Sequence, residues 1–356
     1  MFAYSVSTVR VSFFSPDCNL LRVGSLVCQL ALVWPIPLAR AQSSNQPAAT
    51  QRPATAQTEG RSAHGTYTLR QDVNEVVLNC NVLDDKGHLV NGLDKNDFKV
   101  TEGKVAQTLI ALKHQDVPVS MGVLIDSSGS MQDKRQAVNE AALDLVKASN
   151  PDDEAFIVNF SDRAHVAQDF TADIPTLSDG LKRSSGSSGG TALYDAVASS
   201  ADRMAKTATR PKQVLILVTD GEDNASSLSL EQAVQHIQNL NGPIVYSIGL
   251  LYDAKGGEAR NAKHALEALS DETGGVAYFP HSIADVDAIA AEVARDIRNQ
   301  YTLAYRPSNV PAVSEYRAVH VEAHAHGAGK LTVRTRRGYR AGPIISTTSA
   351  GTHSRP

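Results

Sequence analysis

Residues 117–130 read VPVSMGVLIDSSGS, and this stretch decides the fold of the chain. The apolar run at 117–125 predicts a short buried strand, and a helical pattern begins soon after it. Between the two, Asp126, Ser128 and Ser130 occupy alternate positions of a loop. In an α/β fold, ligands bind outside the carboxyl ends of such strands. The three oxygen-bearing side chains can therefore turn toward one point above the sheet edge.

The same alternation of strands and helices continues along the chain. Four further apolar runs predict strands at 155–160, 213–219, 244–250 and 276–279. A short turn before residues 165–170 predicts an antiparallel edge strand there. Five apolar faces at helical spacing lie between or after these strands: Val138, Ala141, Ala142 and Leu145; Leu193, Val197 and Met204; Ala233, Val234, Ile237 and Leu240; Ala262, Ala265, Leu266 and Leu269; and Val286, Ile289, Val293 and Ile297. We predict an α/β fold with a doubly wound, mostly parallel sheet and helices on both faces.

The segments that flank this central domain, which we place at 116–300, have the period-two pattern of antiparallel strands. Residues 67–115 predict an N-terminal β module, with apolar runs at 76–83, 88–90, 98–100 and 105–112. Residues 301–342 return to the same extended pattern. Neither flank offers enough apolar surface for independent stability, so we expect the two to pack together as one small β module.

The two ends of the chain read as segments outside the folded domains. Residues 1–41 resemble a secretory signal peptide, with an apolar stretch and a small-x-small site, Ala39-Arg40-Ala41, ahead of Gln42. An uncleaved anchor is the alternative. Residues 42–66 predict a disordered linker, and the Ser/Thr-rich tail at 343–356 is predicted to be disordered. We expect a secreted or periplasmic (cell-envelope) protein with no stable membrane span after signal cleavage.

Composition excludes some classes of partner. Of 356 residues, 20% are charged, and the net charge is −4, so neither nucleic acid nor an anionic membrane surface is favoured. Removal of the signal peptide leaves Cys80 as the single cysteine, which cannot form an internal disulfide. Cys80 lies on the inward phase of a predicted strand and reads as a buried apolar residue.

Two later segments add to the polar group at the sheet edge. Thr191 follows a Gly-rich loop and opens a helix, and Asp220 follows the strand at 213–219. Each feature has a simpler alternative, which is a capped helix start at 126–130, a flexible loop before Thr191 and a plain turn at Asp220. Taken together, the set contains two carboxylates and three hydroxyls and no nitrogen or sulfur. Such a set suits a hard cation, Mg²⁺ or Mn²⁺.

The sequence resembles a known family at these positions. The segments DSSGS at 126–130, GGT at 189–191 and TDG at 219–221 are similar to the metal-ion-dependent adhesion site of von Willebrand factor type A domains. The resemblance implies that Ser128 and Ser130 coordinate directly, Thr191 directly or through water, and the two aspartates mainly through water. It also implies a protein partner that presents an Asp or Glu carboxylate. The flanks resemble a family of secreted bacterial proteins built around such a domain.

We therefore predict a divalent-cation-dependent binding module of adhesion type, rather than an enzyme. One rival is a scaffold protein in which the ion only stabilises the fold. The other is a serine hydrolase that uses Ser188 in the G-x-S-x-G segment 186–190, which is disfavoured because no strand precedes it. Glu222 and Asp223 read as solvated turn residues. Four residues lie on one face of a later predicted strand, namely His320, Glu322, His324 and His326. They could bind a transition metal, but a polar face exposed to solvent is the favoured interpretation.

Overall fold

The computed structural model describes residues 75–148, 150–183, 189–309, 315–327 and 329–341, all within the unit 66–356. The predicted signal peptide, linker and tail lie outside the described residues. In chain order the elements are β1 (Val76–Leu83), β2 (Phe98–Glu102), β3 (Val105–Gln107), β4 (Leu109–Lys113), β5 (Val119–Asp126), α1 (Arg135–Lys147), β6 (Glu154–Phe160), β7 (Ala164–Thr171), α2 (Ile174–Lys182), α3 (Leu193–Thr207), β8 (Lys212–Thr219), α4 (Leu230–Asn239), β9 (Ile244–Gly249), α5 (Gly256–Thr273), β10 (Ala277–Tyr278), α6 (Val286–Arg298), β11 (Tyr301–Tyr305), β12 (Tyr316–Ala323), β13 (Thr332–Thr335) and β14 (Gly338–Arg340).

A six-stranded sheet forms the centre, in the order β10-β9-β8-β5-β6-β7. All neighbouring strands are parallel except β7, which runs antiparallel to β6. The predicted fold class is confirmed, and so is the antiparallel edge strand. Because β5 and β8 are adjacent and parallel, their carboxyl ends, which carry Asp126 and Asp220, meet at one edge of the sheet.

Helices cover both faces of this sheet, and the alternation of β5 explains how. Val123 and Ile125 point into a core that packs under α1, α2 and α6, whereas Leu124 points into the core under α3, α4 and α5. Gly122 lies on the second face, where a Cβ atom would sit 2.5 Å from both Leu215 and the ring of Phe156. A larger residue would force these adjacent strands and their side chains apart.

Helix α2 is absent from the helices predicted above. Asp173 caps it by accepting a hydrogen bond from Thr176 N at 2.9 Å, and its buried face consists of Leu177, Gly180 and Leu181. With only two large apolar residues, this nine-residue helix is too short to give a clear periodic signal. Packing against β6 and β7, rather than its own pattern, stabilises it.

Strands from the two flanks combine in two four-stranded sheets. They alternate in the first, ordered β13-β1-β11-β4, whereas the second, ordered β14-β12-β2-β3, joins two C-terminal strands to two N-terminal ones. A shared apolar core lies between them and includes Leu78, Val100, Leu303 and Val321. The predicted strand at 88–90 is wrong: only Leu89 forms an isolated bridge, to Leu83. The side chain of Asp84 instead binds the backbone N–H of Lys86 and of His88, which holds this segment in a turn.

Polar contacts of Asp296 hold the first of these sheets, β13-β1-β11-β4, against the central domain. Arg334 of β13 donates to the Asp296 carboxylate of α6 at 2.7 Å, and Asn81 of β1 donates to the Asp296 carbonyl at 2.9 Å. Burial raises the pKa of Asp296, while the Arg334 guanidinium opposes that shift. In the part of the chain described, no helix combines the length and the apolar character needed to cross a membrane.

Candidate metal-binding site

The loop that leaves β5 is held in place by the neighbouring strand β6. Ser127 donates twice to the Phe160 carbonyl, from its backbone N at 2.7 Å and from its Oγ at 2.9 Å. Residues 129–131 then form one 3₁₀ turn, and the fully buried Met131 anchors it in the core. Ser127 and Met131 thus fix the backbone while Ser128 and Ser130 face the edge of the sheet.

Asp126 is fully buried at the end of β5. Its Oδ1 accepts from Ser128 N at 2.9 Å, and its Oδ2 accepts from Thr219 Oγ1 at 2.6 Å. Burial raises the pKa of this carboxyl; the two hydrogen bonds oppose the shift, and the negative charge of Asp220 adds to it. Thr219 was not among the residues predicted from the sequence. It orients Asp126 from the adjacent strand.

Asp220 joins the two halves of the site. Ser130 Oγ donates to Asp220 Oδ1 at 2.8 Å, although the two residues lie 90 positions apart in the chain. The hydroxyls of Ser128 and Ser130 are 3.2 Å apart. Four of the five predicted residues thus form a continuous set of contacts, in which Ser128 N links the hydroxyls back to Asp126.

Thr191, the fifth residue, is positioned by the loop that follows Asp220. Asn224 Oδ1 accepts from Thr191 N at 2.8 Å, and Asn224 N donates back to the Thr191 carbonyl at 3.0 Å. A Cβ atom on Gly190 would lie 2.5 Å from Asn224 Oδ1, so glycine is needed for this close approach. A Cβ atom on Gly221 would lie 3.9 Å from Thr191 Oγ1, which places that hydroxyl beside the Asp220 segment.

Glu222 and Asp223 are not solvated turn residues, which corrects the prediction above. Both are partly buried, and Glu222 accepts from Asn261 Nδ2 at 2.9 Å. Asp223 accepts from Tyr194 N, at the start of α3, and from Ser226. A free N–H at the beginning of a helix is a ready partner for a carboxylate. Asp223 therefore ties the loop after β8 to the helix that follows Thr191.

Lys134 is another residue of this site that was not predicted from the sequence. Its ammonium donates to Asp220 Oδ2 at 2.8 Å, lies 3.6 Å from Asp253 Oδ2 and sits 5.1 Å from the ring centroid of Tyr252. Burial lowers the pKa of Lys134, but its hydrogen bond and attraction to Asp220 raise it overall. One signal was available in the sequence. A basic residue at a helix N-terminus opposes the helix dipole, so it implies a nearby anion.

The remaining candidates lie elsewhere. Ser188 is outside the described residues, and the element before its loop is helix α2 rather than a strand. His320 and His324 flank Glu322 at 3.4 and 3.8 Å, on an exposed face. Among the described residues, no group of three or more His, Cys, Asp or Glu side chains is arranged to hold a metal. Burial raises the pKa of the Cys80 thiol to about 12, which leaves it unreactive.

Comparison with known protein families identifies the type of domain in which these residues lie. Residues 121–222 match the sequence model of the von Willebrand factor type A domain. The chain carries a von Willebrand factor type A domain. The matched residues run from β5 to just past Asp220, and so contain all five residues of the predicted site. No curated protein matches the chain significantly.

Solved structures with a similar fold include three of different origin. A von Willebrand factor type A protein from Catenulispora acidiphila is 16% identical, with 69% of this chain and 73% of that chain covered and a TM-score of 0.45. Proximal thread matrix protein 1 from the mussel byssus, with a zinc-occupied MIDAS motif, is 20% identical (55% and 49% covered, TM-score 0.43). The type A domain of the pilus tip protein Mfa5 from Porphyromonas gingivalis is 14% identical (51% and 95% covered, TM-score 0.42). The match thus spans about half the length of the mussel protein.

Proposed function

We propose that this type A domain binds a divalent cation, Mg²⁺ or Mn²⁺, and through it a protein partner that presents an Asp or Glu carboxylate. Asp126, Ser128, Ser130, Thr191 and Asp220 would hold the ion. The observation that carries the proposal is the 2.8 Å contact between Ser130 Oγ and Asp220 Oδ1. It joins two motifs that have no reason to meet in sequence, at the sheet edge where α/β folds bind ligands.

The residues present fit such an ion. Every candidate donor is an oxygen, as hard cations require. Neighbouring ligands of an octahedral Mg²⁺, each about 2.1 Å from the ion, lie roughly 3 Å apart. The separations of 3.2 Å between the two serine hydroxyls and 2.8 Å from Ser130 to Asp220 are close to that value. The two carboxylates are buried, and their combined charge matches that of one divalent ion.

The same residues favour binding over catalysis. A bound cation would supply an open coordination position at which a partner carboxylate can replace water. A hydrolytic metal site also needs a general base within reach of that water. Glu222 and Asp223, the carboxylates that follow Asp220 along the chain, already accept hydrogen bonds from Asn261, Tyr194 and Ser226. They support the loops of the site, so we assign no catalytic role to them.

Mn²⁺ provides a direct test of two things, the binding of the ion and the replacement of its bound water by a carboxylate. Water-proton relaxation of the protein–Mn²⁺ complex should reveal an exchangeable bound water. Addition of a short peptide with one Asp should lower that relaxivity, whereas the matched Asn peptide should leave it unchanged. Binding of Mn²⁺ with no response to either peptide would favour the scaffold alternative, in which the ion only stabilises the fold. No binding of Mn²⁺ at all would refute the proposal.

We further propose that the protein is exported to the periplasm or the cell exterior, where its partner lies. Support comes from the sequence of the first 41 residues and from the resemblance of the flanks to secreted bacterial proteins. The mature chain would begin at Gln42. Amino-terminal sequencing of material from the envelope and the medium tests this, and recovery of a membrane-bound form that begins at Met1 would contradict it.

A further inference from the structure

A side-chain cation already lies within the proposed metal site. The Lys134 ammonium is 2.8 Å from Asp220 Oδ2, while the other oxygen of Asp220 accepts from Ser130. The side chain of Lys134 is 15% exposed and that of Asp220 is 2% exposed. This is a largely buried ion pair. Removing one partner of such a pair therefore costs much more stability than breaking a surface pair would.

The charges at the edge of the sheet show what this lysine does. Asp126 and Asp220 are both buried, and two close carboxylates without a cation repel each other. The guanidinium of Arg135, the next basic residue, donates to the Ser127 carbonyl at 3.3 Å, and among the described contacts no ion pair joins it to either carboxylate. Lys134 thus neutralises the carboxylate that a divalent ion would need.

The Lys134 ammonium also has alternative partners close to Asp220. Asp253 Oδ2, at 3.6 Å from the ammonium, and the ring of Tyr252, at 5.1 Å, both lie on the segment that follows β9. The Asp253 side chain is 70% exposed and can follow the ammonium. The backbone role of Lys134, whose carbonyl accepts from Val138 N at 3.1 Å, does not depend on the side chain.

We propose that Lys134 is a tethered cation that competes with the divalent metal for Asp220 and so sets the metal affinity of the site. This inference rests on the proposed function. In the metal-free protein the ammonium stabilises Asp220. When the metal takes that carboxylate, the ammonium pairs with Asp253 and Tyr252 instead. The residue is a determinant of affinity and not itself a ligand.

The test compares Mn²⁺ binding by isothermal titration calorimetry to the full chain and its Lys134→Met variant. We expect the variant to bind Mn²⁺ at least about tenfold more tightly, because the metal no longer has to displace a cation. Lys147→Met is the matched control: it removes the last residue of α1, a half-exposed lysine paired with Asp144, and should leave the affinity unchanged. Lys134→Gln, which is uncharged but can still donate to Asp220, should behave like Lys134→Met.

A second readout is thermal melting without metal. Lys134→Met should melt at a lower temperature than the wild type, since Asp220 is left buried and unpaired, and should gain more from Mn²⁺. Equal or weaker Mn²⁺ affinity in both Lys134 variants overturns this inference and leaves the proposed function intact, provided that the wild type binds. Binding by the variants but not by the wild type supports competition and refutes the proposed function. If neither the wild type nor any variant binds Mn²⁺, both the inference and the proposed function fail.

Discussion

Replacement of Asp126 by Asn tests the metal site most directly. The substitution keeps the size of the side chain and an oxygen that can accept from Ser128 N, but it removes one of the two negative charges. Because burial raises the pKa of Asp126, the ionised carboxylate costs stability in the metal-free protein at neutral pH. That cost disappears as the pH falls through the usual carboxyl range, where the unfolded chain also becomes protonated. At pH 7 without metal, the variant should therefore be at least as stable as the wild type.

With metal bound, the wild type should become more stable than Asp126→Asn. A ligand that binds only the folded state stabilises it by about 2.7 kcal/mol at a hundredfold excess over its dissociation constant. For a domain of this size, that corresponds to an increase of roughly 5 °C or more in melting temperature. The assay is thermal melting of wild type and Asp126→Asn with EDTA and with Mg²⁺ or Mn²⁺. Asp144→Asn, which removes an exposed carboxylate of α1, is the control and should respond to metal as the wild type does. Equal metal-induced shifts in wild type and Asp126→Asn would show that the cation binds elsewhere.

Three further predictions concern other residues. Thr191→Ala removes a neutral oxygen and should weaken Mn²⁺ binding in calorimetry less than Asp126→Asn does; the opposite order would contradict the charge argument. Lys212 is buried, donates to a backbone carbonyl, and has its pKa lowered to about 8 by burial. The unfolded chain keeps that proton up to about pH 10.5, so wild-type stability should rise relative to Lys212→Met between pH 8 and 10.5, by up to about 3 kcal/mol in urea unfolding. Parallel pH profiles would refute this. Glu102→Gln removes a buried charge that contacts Arg317 at 3.3 Å and should lower the free energy of unfolding in urea by about 3 kcal/mol. The exposed Glu322→Gln should lower it by almost nothing. Similar losses in both would contradict the role of burial.

The flanking β sheets show the limit of local patterns. Period-two alternation identified β1, β2 and β4 and the strands after Tyr301, because each has one apolar face. It did not reveal that β1 lies between two strands from the far end of the chain. Both pairings of β1 join residues more than two hundred positions apart, and no local pattern encodes them.

The sequence by itself determined the central fold and the composition of the candidate site. Alternating strands and helices require a mostly parallel sheet, and parallel strands bring the residues that follow β5 and β8 to one edge. Only the tertiary structure decided the electrostatics of that edge. The contact of Lys134 with Asp220, the support of Asp126 by Thr219 and the role of Asn224 beside Thr191 all depend on where separate loops pack. Side-chain contacts of this kind are set by packing over distances of a few ångströms, which residue types and spacing do not specify.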